Sequence, residues 1–104
     1  MYIVNGNKKI KLVYAKSFFK RLTGLMFKKN IDYAIYFKTR AIHTFFMKKN
    51  IDVYLTNKDN KILYKYENLK KNHIIIKKKP VEKVFELPVD NLKLEIGEII
   101  KIEE

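Results

Sequence analysis

Apolar residues in this chain recur at every second position within short segments, and turn-forming residues separate those segments. A period of two sends successive side chains to opposite faces of an extended strand, so this pattern commits the chain to β-sheet. The clearest instance comes first. Asn5-Gly6 lies between Tyr2 to Val4 and Lys9 to Tyr14, and that dipeptide supplies the positive φ angles of a tight hairpin. In the second segment Ile10, Leu12 and Tyr14 share one face, while Lys9 and Lys11 share the other with Val13.

The pattern continues along the chain. Ile31 to Phe37 and Ala41 to Met47 are apolar and aromatic, and Ile51, Val53 and Leu55 alternate with Asp52 and Tyr54. Asn57-Lys58-Asp59-Asn60 reads as a polar turn before Ile62, Tyr64 and Tyr66. Ile74 to Ile76 is β-branched, and Pro80 closes the lysine run that follows it. Phe85, Leu87 and Val89 share a face, although Pro88 argues for an edge strand or a bulge. Leu92, Leu94 and Ile96 form another face, Gly97 marks a bend, and Ile100 with Ile102 makes the last short strand. The period changes only once: Ser17 can cap a short helix with Phe18, Leu22 and Leu25 at helical spacing, ended by Gly24. The expected class is mainly β, a β-rich α+β fold. It is a compact sandwich, jelly-roll-like or barrel-like domain of about eight or nine short strands, with one short helix near residues 17–24. A chain of 104 residues can bury one core, so residues 1–104 are expected to form a single domain.

Missing residue types exclude much chemistry. Without cysteine there are no disulfides, thiol nucleophiles or Cys-ligated metals. His43 and His73 are the only imidazoles and have no metal-ligand spacing, so no metal or cofactor is expected. Ser17 is the only serine, and the three glycines make no phosphate-cradling loop. No apolar run approaches the roughly 20 residues that cross a bilayer. The N-terminus has no continuous apolar region, and a soluble, cytoplasmic protein is expected.

The formal net charge of +12 is uneven: residues 1–79 hold 20 basic and 4 acidic side chains, residues 80–104 hold 3 and 7. Such a balance suits nucleic acid or an anionic surface. Only Arg21 and Arg40 are arginines, however, where phosphate recognition favours the bidentate guanidinium. Tyr64-Lys65-Tyr66, Tyr33 and Tyr36 can stack bases or can simply be strand residues. Met26 and Met47, beside Phe27, Phe45 and Phe46, can line an adaptable apolar cleft or form the core. Asp52 and Glu86 are the one pair of carboxylates to nominate for glycoside chemistry, and nothing in the spacing places them opposite each other.

"FKRLTGLMFKK", "YAIYF", "IHTFFM", "IDV", "NKDNKIL", "VFELP" and "LEIGEII" occur in that order between residues 19 and 100. Together they resemble the small bacterial and archaeal domain-of-unknown-function family numbered 192. The resemblance implies a compact β-rich fold with the Gly-Leu-Met segment packed on the sheet, and no assigned activity. The family pattern carries an arginine before Gly-Leu-Met and an aspartate at a strand start, here Arg21 and Asp52. Ile51, Val53 and Leu55 claim one face of their strand, so Asp52 points the other way and, if covered, needs a partner. The expectation is a polar cluster of Arg21, His43 and Asp52, structural or ligand-binding, beside an apolar cleft of Met26, Phe45 and Met47. The functional expectation is a non-enzymatic binding or accessory domain, with a small-molecule ligand or protein as partner. One alternative is nucleic-acid or anionic-surface binding through lysine-rich residues 1–79. The other is a small hydrolase or sugar-binding protein using Asp52.

Overall fold

The computed structural model describes residues 1–15, 32–44, 49–89 and 92–104. Nine strands occur there: β1 (Tyr2–Asn5), β2 (Lys8–Tyr14), β3 (Tyr33–Phe37), β4 (Ala41–His43), β5 (Ile51–Thr56), β6 (Ile62–Leu69), β7 (Ile74–Ile76), β8 (Lys83–Pro88) and β9 (Lys101–Glu103). The chain is therefore mainly β. The helix expected near residues 17–24 lies outside the described residues.

Seven strands form one sheet in the order β6-β5-β8-β3-β2-β1-β9, while β4 and β7 form a separate pair. Every pairing is antiparallel except that of β2 with β3. A parallel pair needs a crossover of a dozen or more residues, and residues 15–32 supply it.

The large sheet curls until its outer strands meet at one end. Lys61 and Ile99 form an isolated bridge. The Ile62 amide donates to Glu98 (2.9 Å), Gly97 to the Ile62 carbonyl (2.8 Å) and Ile100 to Asn60 (2.9 Å). Residues 97–100 lead into β9 and residues 60–62 open β6, so these bonds tie the two edges into a half-barrel. Gly97 makes the approach at φ +95°, a conformation that side chains rarely adopt. Of the arrangements expected from the sequence, the barrel-like one is nearest.

Both faces of this sheet bury apolar residues. Ile51, Val53 and Leu55 join Ile35, Phe37 and Val84 on the outer face, covered there by Ile42 and Ile75 of the small sheet. Tyr54, Phe85 and Leu87 turn inward to Ile3, Ile10, Leu12, Leu92, Leu94 and Ile100. Each fully buried aliphatic side chain contributes about 1.5–3 kcal/mol. Tyr14, Tyr36 and Phe85 stack across β2, β3 and β8 with centroids 4.8 and 5.1 Å apart, and such pairs add about 0.5–1.5 kcal/mol each.

Three local expectations change. Asn5 pairs with Lys8, so the hairpin loop is Gly6-Asn7, one residue later than expected. Gly6 has φ +60° while Asn7 is absent from the positive-φ residues, the II′ pattern. Pro88 does not mark an edge, because β8 is an interior strand; the ladder to β3 stops at Glu86, so Pro88 pairs with β5 alone. Leu92 to Ile96 is not a strand, and Ile96 is exposed. In β7 only Ile75 is buried; Ile74 and Ile76 face solvent.

Candidate functional site

The strand register gathers cations at one end of the large sheet. Phe37 pairs with Val84, which sets Lys38, just beyond β3, beside Lys83 at the start of β8. Thr56 pairs with Lys83 on the other side, so the turn after β5 arrives at the same place carrying Lys58. Asn57 shapes that turn: its side-chain oxygen accepts from the amides of Asp59 (2.9 Å) and Lys61 (3.0 Å). Arg40, between β3 and β4, is held by its Nε donating to the Val81 carbonyl at 3.0 Å.

The result is an open cleft of about 640 Å³ whose polar lining is Lys38, Thr39, Arg40, Lys58, Glu82 and Lys83. Among the described residues, four cations line it with one carboxylate. Lys83 is half-buried and donates to the Asn60 side chain at 2.7 Å. Burial and then the neighbouring Lys38 ammonium push its pKa below the ordinary lysine value, against the opposing pull of Asp59 and Glu82. The cleft thus concentrates positive charge that its own carboxylates do not neutralise, an arrangement that favours an anion.

Of the residues nominated from the sequence, Asp52 and His43 lie elsewhere. Asp52 is 4% exposed and points, as expected, away from Ile51, Val53 and Leu55. It accepts the Asn68 amide at 2.8 Å, holding the left-handed Asn68 (φ +54°) beside a register shift between β5 and β6. Asn50 donates to the Asn68 side-chain oxygen at 2.9 Å, completing that corner. A smaller cleft of about 450 Å³ lies nearby, lined by Lys49, Asn50, Pro88 and Val89. His43 lies on β4 of the small sheet, opposite Ile74. Arg21, Met26, Phe45 and Met47 lie outside the described residues, and so does any contact of theirs with Asp52 or His43.

Glu86 pairs with Val53 and Ile35, whereas Asp52 pairs with Leu87. The two carboxylates therefore leave the sheet on opposite faces and cannot act on one bond. Among the described residues no donor or cation approaches Glu86, and burial alone raises its pKa from 4.5 to about 7. No group of three His, Asp or Glu able to hold a metal occurs among the described residues.

Sequence reasoning missed the cationic cleft because its members are lysines spread from residue 38 to residue 83, among 23 basic residues in all. The one usable signal was Arg40, an arginine in a chain that otherwise uses lysine.

The profile of domain-of-unknown-function family 192 (DUF192: Uncharacterized ACR, COG1430) matches residues 2–102. The UPF0127 protein TK1120 of Thermococcus kodakarensis is 35% identical over 102 residues, covering 88% of this chain. The chain spans 63% of that relative's length. Among solved structures, a protein of unknown function from Novosphingobium aromaticivorans superposes with a TM-score of 0.71 at 12% identity, over 86% of this chain and 71% of its own. A Sinorhizobium meliloti structure described as a "putative transcription regulator" gives 0.73 at 20% identity, over 96% and 89%. At these identities the structural likeness shows the fold alone.

Proposed function

Since the chain belongs to domain-of-unknown-function family 192, whose description assigns no activity, we propose a function from the chain's own geometry: a cytoplasmic, non-enzymatic domain that binds a small, multiply charged anion. A phosphate-bearing or polycarboxylate metabolite has the required chemistry. The observation that carries this reading is the cleft in which Lys38, Arg40, Lys58 and Lys83 converge, with Glu82 the one carboxylate among its described lining residues. Lys38 and the half-buried Lys83 repel each other, and a bound dianion attracts both and so offsets that repulsion. The volume of about 640 Å³ lies within the range of small-molecule sites.

Calorimetric titration with pyrophosphate and citrate, against glucose as the uncharged control, tests this directly. Saturable binding of an anion but not of glucose is expected. Lys83→Met should weaken it at least about tenfold, the worth of one hydrogen bond to a charged group. Equal binding by wild type and Lys83→Met, or no binding of either anion, would overturn the proposal. A preference for duplex DNA over pyrophosphate that persists near 150 mM salt would transfer the cleft to nucleic acid.

A further inference from the structure

Ile74 and Ile76 remain 61% and 72% exposed in a chain that buries its other strand isoleucines well. The small sheet explains their direction. Ile75 and Ile42 turn to the outer core, so the period of two sends Ile74 and Ile76 outward, beside each other. Tyr64 of β6 is also 42% exposed, and the Lys77 ammonium lies 4.2 Å from its ring centroid. Lysines border this apolar patch at both ends of β7: Lys70 and Lys71 before it, Lys77, Lys78 and Lys79 after it, with no acidic residue between Glu67 and Glu82.

Lys77 meets the rings of Tyr64 and Tyr66, but among the described residues no carboxylate neutralises these charges. Among the described residues the salt bridges join Lys9 to Glu103 and Lys65 to Glu67 and Glu95, and none involves the five lysines around β7. The acidic C-terminal segment packs on the opposite face of the large sheet, through Leu92, Leu94 and Ile100. The domain is electrically polarised: Ile74 and Ile76 are exposed among lysines, whereas the other exposed isoleucines, Ile96 and Ile99, sit beside Glu95 and Glu98.

We propose that this face docks on an anionic lipid bilayer, with Ile74, Ile76 and Tyr64 entering the interface and the five lysines held at the headgroups. Aliphatic tips inside a cationic border match a surface that is negative outside and apolar within. A second copy would set one lysine border against another. Nucleic acid would leave the isoleucines against phosphates. The inference stands independently of the anion cleft, whose residues it does not use.

Flotation of the full chain with phosphatidylcholine vesicles, with and without about 30% phosphatidylglycerol, tests it near 150 mM salt. Binding only to the anionic vesicles is expected. Replacing Lys78 and Lys79 together by Gln should weaken binding by about fivefold per charge. Ile74→Ser with Ile76→Ser should weaken it at least about tenfold at both low and moderate salt. Both pairs are solvent-facing, so unchanged melting temperatures verify that the fold survives, and Lys101→Gln, on β9, should bind like wild type. Wild-type levels of binding by the isoleucine variant would overturn the proposal, reducing the effect to diffuse charge. Failure of the wild type to float would overturn it too. So would capture by polyglutamate or DNA in preference to vesicles, or a dimer in light scattering that the isoleucine variant abolishes.

Discussion

Replacing Glu86 by Gln should make this protein more stable at neutral pH and less sensitive to pH. Glu86 sits between Ile35 and Val53 on the outer face of the sheet, 7% exposed, and burial lifts its pKa from 4.5 to about 7. A carboxyl whose folded pKa exceeds its unfolded value adds stability that is fully present below the unfolded pKa. That contribution declines as pH rises from about 4.5 and is gone above about 7, because the folded state then has to hold a buried charge. At about 1.36 kcal/mol per unit the loss is roughly 3 kcal/mol, a large share of the roughly 5–15 kcal/mol that holds a small domain together. Glutamine keeps the side chain's volume and never ionises. Urea unfolding at pH 5 and pH 8 measures both proteins at constant temperature. The wild type should lose roughly 3 kcal/mol between the two, apart from other titrations, and Glu86→Gln should lose far less, overtaking the wild type at pH 8. Every other titrating group is common to both proteins, so the difference between the two slopes isolates Glu86. Identical slopes would refute the argument that this carboxyl is desolvated without compensation.

Asp52→Asn removes the charge that accepts the Asn68 amide, and should lower stability by about 1.5–3 kcal/mol in the same assay. The proposed pairing of Asp52 with Arg21 predicts that Arg21→Met also destabilises and that the double variant loses less than the sum; strict additivity would dismiss the pair. Tyr54→Phe strips the hydroxyl that donates to the Leu92 carbonyl at 2.9 Å inside the curl, at a cost of about 1–3 kcal/mol on thermal unfolding. Gly6→Ala meets no neighbouring atoms but forces φ +60° on a side chain, so it should cost about 1–2 kcal/mol through backbone strain alone.

Short-range order was legible in the sequence, and contacts between distant segments were not. The alternation through Ile51 to Leu55 correctly placed Asp52 beside Tyr54, because a period of two is a property of the strand itself. It did not show that β5 is buried on both faces, since that depends on which strands flank it and on the curl that brings Leu92 and Ile100 inside. Pro88 argued for an edge, yet β8 is interior; a register that ends one neighbouring ladder at Glu86 leaves no trace in composition. The tie between residues 97–100 and 60–62 is made by backbone groups, so side-chain patterning does not encode it. The same holds for the cleft. Lys38, Lys58 and Lys83 become neighbours only through the pairings of β8 with β3 and β5, and on a lysine-rich chain no single one of them stands out.

The proposed ligand site is the cleft at residues 38–41, 58 and 82–83. Amide chemical shifts of the nitrogen-labelled protein, followed during titration with pyrophosphate, test it most directly. Saturable shifts confined to residues 38–41, 57–61 and 81–83 are expected, lost in Lys83→Met. Shifts centred on Lys49, Asn50 and Val89, or spread evenly over the lysine surface with no saturation, would contradict it.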